Sequence, residues 1–193
     1  GWVEAVGEGM ELRGTTRGTL DAVGRFTVSK ESLTHDFGLI SEAGEWRISS
    51  PPDGVLLSSY IFARSYSSVR SYFIARSGQR VVPELLHLPT SEITSGRIVE
   101  AQMAGPGPFL SSGVRNAIPE GTKLGTAGTV VDSSGVVTVA LEGVPQSLSE
   151  LERRELGAQL LWSLSSIPKI SGLHLTVDGK TYSLPGQNDK QVL

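Results

Sequence analysis

Short apolar runs separated by Gly, Ser and Pro fill the first sixty residues, and they read as strands. Thr19 to Val28 is a β-rich run with Gly24 inside it, which predicts one strand with a bulge or bend. Phe37-Gly38-Leu39-Ile40 and Glu45-Trp46-Arg47-Ile48 flank Ser41-Glu42-Ala43-Gly44, and this arrangement predicts a hairpin. Ser50-Pro51-Pro52-Asp53-Gly54 then breaks any regular structure and is the best domain boundary. Val55 to Tyr66 reads as the bridge from one domain into the next.

The periodicity then changes. Val69 to Ile74 and Arg80 to Leu85, either side of Arg76-Ser77-Gly78-Gln79, predict a second hairpin. A helix is predicted after Pro89-Thr90, through Ile93, Arg97, Ile98 and Met103, and Gly105-Pro106-Gly107-Pro108 ends it. Leu124 to Val131 and Val136 to Leu141 are strands around Asp132-Ser133-Ser134-Gly135. Ser147 with Glu150, and Ser149 with Glu152, both offer S-x-x-E caps for a second helix. Its apolar stripe is Leu156, Leu160 and Leu164, with Leu161 beside them, and Pro168 stops it. Leu173 to Val177 and Lys180 to Leu184 flank Asp178-Gly179, a strong hairpin signal. The polar tail from Gly186 reads as frayed. The order after Tyr66, β-β-α-β-β-α-β-β, is an α+β pattern, and nothing in it forces a doubly wound nucleotide-binding sheet.

Composition narrows the functions. With 17 Lys+Arg against 20 Asp+Glu and a net charge of -3, the chain lacks the basic excess of a nucleic-acid binder. No apolar run approaches the roughly 18 residues that a membrane helix needs. Cysteine is absent. That excludes a disulfide framework, a thiolate zinc site, an iron–sulfur cluster and a Cys nucleophile, and it leaves the compartment open. The start at Gly1 rather than Met reads as a piece of a longer chain with its address upstream.

Candidate chemistry is sparse. His35, His87 and His174 are far apart in sequence, so no metal spacing exists, and structural or surface roles are expected. Gly179-Lys180-Thr181 imitates the end of a P-loop, but six residues separate the glycines and a hairpin, not a helix, surrounds it. Ser166-Ile167-Pro168-Lys169 matches S-x-x-K, yet Pro168 breaks the helix that the pair would share. The charge run Glu150, Glu152, Arg153, Arg154 and Glu155 is expected to be a solvated helix face, with a partner-docking face as the lesser alternative. Trp46 and Trp162 are expected to anchor the core.

Several phrases in order carry a resemblance. Gly44-Glu45-Trp46-Arg47-Ile48, Pro52-Asp53-Gly54-Val55, Tyr72-Phe73 and Val81-Val82-Pro83 resemble the actinobacterial LpqB lipoproteins. Val99 to Pro106, Asn116 to Thr122 and Ala158 to Leu164 are similar to a GerMN, or sporulation and germination, domain. The resemblance implies an antiparallel, strand-rich part of an NTF2-like domain over residues 1–62 and an α+β GerMN domain over 63–187. Residues 188–193 would lead toward a C-terminal β-propeller. It also implies a membrane-anchored, extracytoplasmic lipoprotein, its lipidated Cys upstream, working with the sensor histidine kinase MtrB of the MtrA–MtrB system. It brings no catalytic residues and no cofactor.

The expected function is therefore a non-enzymatic docking module for the kinase's ectodomain, with a small-molecule or cell-wall ligand-binding module as the alternative. Nucleic acid is not an expected partner, and membrane contact is expected only through the upstream anchor. A part-sheet without covering helices exposes an apolar face. Phe26, Phe37, Leu39, Trp46 and Ile48 are its candidate residues, expected to be covered by the second domain or by another copy of the chain.

Overall fold

A computed structural model describes residues 2–6, 9–51, 53–78 and 80–188. Pro52 and Gln79 of the predicted breaks, and the end of the polar tail, lie outside the described residues. The chain divides into two compact units: residues 1–21 with 26–65, and residues 22–25 with 66–193.

The first unit is built on hairpins. β1 (Trp2–Val6) and β2 (Gly9–Thr15) are followed by the short pair β3 (Gly18–Leu20) and β4 (Phe26–Val28), and then by β5 (Ser32–Glu42) and β6 (Glu45–Ile48). β1, β2, β5 and β6 form one antiparallel sheet in that order. The register follows the alternation along β5, where Leu33, His35, Phe37 and Leu39 are half-buried between exposed neighbours. A one-residue slip would turn all four outward, so the pattern fixes the pairing. Ala43 (φ 53°) and Gly44 (φ 84°) close the predicted β5–β6 hairpin in the doubly left-handed geometry of a tight two-residue turn. Helix α1 (Ser59–Ser65) occupies the segment expected to be a bridge, with Ser58 Oγ accepting from Ile61 N at its start.

The run from Thr19 to Val28 is not one bulged strand. It doubles back, with Leu20 opposite Phe26, and the four residues 22–25 in between belong to the second unit. Gly24, at φ 91°, makes this possible, because a side chain there would be strained. A Cβ at Gly24 would lie 2.6 Å from the His87 carbonyl oxygen.

The second unit begins with the hairpin of β7 (Tyr66–Ala75) and β8 (Val81–Pro89). A 3-10 turn (Thr90–Glu92) and α2 (Ser95–Met103) come next, the helix capped by Thr94 accepting from Arg97 N. β9 (Val114–Arg115) adds to β7, giving the order β8-β7-β9. β10 (Lys123–Val131), β11 (Val136–Glu142), β12 (Gly172–Val177) and β13 (Lys180–Thr181) form a second sheet in sequence order. α3 (Glu150–Leu164) joins β11 to β12, which run parallel as a crossover allows, so the α+β fold carries one parallel pair. Ser149 and Glu152 make a reciprocal capping box at the α3 start, one of the two caps the sequence offered.

The core sits between α3, α2 and the two sheets. Leu156, Leu160 and Leu164, the predicted stripe, are fully buried with Ile98, Val139 and Leu175. Each such leucine contributes roughly 2 kcal/mol by leaving water. The β8 edge is met by residues 22–25. His87 N donates to Gly24 O at 2.7 Å, and Arg25 bridges to Leu86. The Arg25 guanidinium reaches Glu84 Oε2 at 2.9 Å and also the Gly105 carbonyl.

Candidate functional site

The buried polar groups of the second unit explain how one surface is held. Gln102, Gln159 and Ser163 are fully buried, which is tolerable only when hydrogen-bonded. Ser163 Oγ accepts from Tyr72 N at 2.8 Å and from Gln102 Nε2, and it donates to Gln159 O at 2.8 Å. Gln159 Nε2 donates to Asn116 Oδ1 at 2.6 Å, and Ala117 N donates to Gln159 Oε1 at 2.8 Å. The network ties α3 to α2, to β7 and to the segment after β9.

Trp162, beside Ser163 in sequence, is turned off the leucine stripe, and its ring lies 5.8 Å from that of Tyr72. Trp162 is 53% exposed, so it does not anchor the core as expected; Leu160 and Leu164 take that space. Strand alternation puts Arg70 and Tyr72 on the side of β7 away from Val69, Ser71 and Phe73, which are buried. The β8 partners of Arg70 and Tyr72 are Leu85, half exposed at 50%, and Pro83, also exposed. Directly opposed residues have Cβ atoms about 5 Å apart. Trp162, Tyr72, Pro83 and Leu85 thus form a continuous apolar surface edged by Arg70. Trp, Tyr and Arg are the residue types that dominate binding hot spots.

The charge run on α3 is only partly a solvated face. Arg154 pairs with Glu150 at 3.3 Å in the open, but Glu155 is buried and ion-paired to Arg115. The Ser149 hydroxyl, and then the Ser149 amide, hold the Glu152 carboxyl below its usual range. Asp132 is likewise lowered, first by the Ser134 hydroxyl and then by the Val136 amide, and it fixes the β10–β11 turn.

The residues singled out in the first unit are only partly brought together. Phe37 and Leu39 on β5, and Trp46 and Ile48 on β6, share one face of the four-stranded sheet, since Leu39 pairs with Ile48 and Ser41 with Trp46. Trp46 is 66% exposed and Ile48 is exposed too, while Phe37 and Leu39 are half-buried. Trp46 is therefore not a core anchor, because an edge strand leaves its ring at the rim. Phe26 lies elsewhere, on the β3–β4 ribbon, stacked on Phe62 of α1 at 6.0 Å.

Two open concavities stand out among the described residues. One, of about 320 Å³, is lined by Met103, Asn116, Ile118, Pro119, Glu120, Gly121 and Thr122. The other, of about 420 Å³, lies on the second sheet between small residues such as Gly125, Ala127, Gly128, Thr138 and Ala140. Neither has an aromatic wall. Among the described residues no three His, Asp or Glu side chains cluster to hold a metal, and no helix is long and apolar enough to cross a membrane.

Comparison with known proteins accounts for both units. Residues 70–183 match the family model for sporulation and spore germination, and residues 3–63 match the model for the N-terminal domain of lipoprotein LpqB. Lipoprotein LpqB of Cutibacterium acnes is 38% identical over 94% of this chain, and that of Thermobifida fusca is 35% identical over 82%. The chain spans 31% and 26% of those relatives, so it corresponds to under a third of each. The first GerMN domain of the Bacillus subtilis sporulation protein GerM is 19% identical, with a TM-score of 0.49 over 62% of this chain and 90% of that one. The chain belongs to the sporulation and spore germination family, here preceded by an LpqB-type N-terminal domain, and its sequence relatives are LpqB lipoproteins.

Proposed function

We propose that the chain is a non-enzymatic, extracytoplasmic docking module of an LpqB-type lipoprotein, held at the cell membrane by an anchor elsewhere in the full-length protein. Its partner is the extracellular sensor domain of the kinase MtrB, whose signalling equilibrium in the MtrA–MtrB system shifts when the complex forms. A ligand shifts such an equilibrium only by its differential affinity for the two states, so the module needs no chemistry of its own.

The observation that carries this reading is the Trp162–Tyr72–Pro83–Leu85 surface, which is apolar, charge-edged and held from beneath by the Ser163 hydrogen bonds. The relatives are named as lipoproteins and the matched family models describe no enzyme, which favours binding over catalysis. A ligand-binding module calls instead for a pocket in which polar groups converge against aromatic walls, and the two concavities have none. Calorimetric titration of the kinase sensor domain with the lipoprotein ectodomain tests the reading. Saturable binding supports it, and the absence of binding at high micromolar concentrations overturns it.

A further inference from the structure

The loop between α2 and β9 presents Phe109 to solvent almost completely, at 99% exposure. A bare phenylalanine on a floppy loop would mean little, but this loop is pinned at both ends. Glu84 Oε1 accepts from Gly107 N at 2.8 Å, and Arg25 donates to the Gly105 carbonyl. Gly107 is buried, and its carbonyl accepts from Leu110 N and Ser111 N at 3.0 Å each. At the far end Arg76 donates to the carbonyls of Ser112 at 2.8 Å and Ser111 at 3.2 Å. The tip is therefore preorganised, and docking it costs little loop entropy.

Its electrostatic surroundings are one-sided. Residues 105–115 contain no acid. The nearby carboxylates of Glu84 and Glu155 are engaged by Arg25 and Arg115. Arg76 and Arg80, on the adjoining β7–β8 turn, are exposed, and among the described residues neither is ion-paired. A solvent-exposed apolar tip tied to a turn that carries two exposed arginines suits a flat, deformable, anionic surface better than a protein socket.

We propose that this loop is a membrane-surface contact: Phe109 enters the headgroup–acyl boundary of an anionic bilayer while Arg80 faces lipid phosphates and Arg76, holding the loop, adds its charge. Interfacial binding of this kind adds buried apolar area to attraction for anionic lipid. The inference rests on the membrane location proposed above, not on the Trp162 docking face.

Co-sedimentation of the whole chain with phosphatidylglycerol–phosphatidylcholine vesicles, at millimolar lipid and low salt, tests it. The wild type is expected to bind these vesicles and not pure phosphatidylcholine. F109S should weaken partitioning about tenfold or more, as loss of one buried aromatic implies. R80Q, which leaves the loop pins intact, should weaken it about fivefold. F109W should gain fluorescence that brominated acyl chains quench. W162A should bind vesicles as the wild type does, which separates this inference from the docking reading. No binding to anionic vesicles, or binding unchanged by F109S, overturns it. So does F109S weakening the kinase sensor domain's binding while vesicle binding stays intact, which would make Phe109 a protein knob.

Discussion

Replacing Ser163 with Ala perturbs the second unit at the point where three elements share one hydroxyl. The change removes a single oxygen from a fully buried position and leaves no cavity larger than that atom. Gln102 Nε2 keeps two other acceptors, the carbonyls of Tyr72 and Gln159, both at 3.2 Å. The Tyr72 amide instead faces a methyl group where it had an acceptor at 2.8 Å. The cost is then close to that of one orphaned buried donor, about 2 kcal/mol, against about 1 kcal/mol for an ordinary lost hydrogen bond. For a unit of this size, about 2 kcal/mol lowers Tm by roughly 6 °C. Urea denaturation followed by circular dichroism reads the loss as a lower midpoint at unchanged slope. Tryptophan fluorescence should also shift in the native state, because the same bond seats Trp162 beside Tyr72. A loss below about 0.5 kcal/mol would refute the reasoning, since it would mean the Tyr72 amide finds water or another acceptor at no cost.

Other expectations rest on the same geometry. Gly24→Ala places a methyl group against the His87 carbonyl at a positive φ, so it should cost about 2 kcal/mol and speed hydrogen exchange at the His87 amide, whereas unchanged protection there would contradict the close approach. Ser149→Ala should cost about 1 kcal/mol in thermal or urea melts. Because the Glu152 carboxyl sits below its normal range, its contribution is complete above an unfolded pKa of about 4.3 and fades as pH falls through the lower folded value. Ser149→Ala should therefore flatten that part of the acid limb, and a stability–pH curve parallel to the wild type would speak against the cap. Asp132→Ala should remove a second acid-sensitive contribution of the same sign, because the Ser134 and Val136 donors lose their acceptor, and the readout is again the acid limb of stability.

The parts of the fold that were legible in the sequence are those with local causes. The S-x-x-E cap, the Leu156–Leu160–Leu164 stripe and the Asp178-Gly179 turn each announce themselves within a few residues, and each is found where expected. The Ser41–Gly44 hairpin was as plain, and its pairing puts Phe37 and Leu39 on one face with Trp46 and Ile48. The failures have non-local causes. Thr19 to Val28 has strand composition throughout, and nothing within it signals that residues 22–25 are drawn out to meet the β8 edge. That depends on Glu84 and His87, some sixty residues away. The same excursion puts Phe26 on the β3–β4 ribbon and not on the four-stranded sheet. Glu155 looks identical to its charged neighbours, and only its proximity to Arg115 makes burial bearable. The exposed Trp162–Tyr72 surface was not legible because aromatic residues default to the core. The one local hint was that Trp162 falls off the four-residue leucine spacing.

The central claim is that the β7–β8 face with Trp162, and not the sheet of the first unit, engages the kinase. Titrating the kinase sensor domain with the wild type, W162A and W46S tests this most directly. Removing a central aromatic hot spot costs at least about 2 kcal/mol, so W162A should weaken binding about thirtyfold or more while W46S binds as the wild type does. Equal affinity for wild type and W162A, or a loss confined to W46S, would contradict the account.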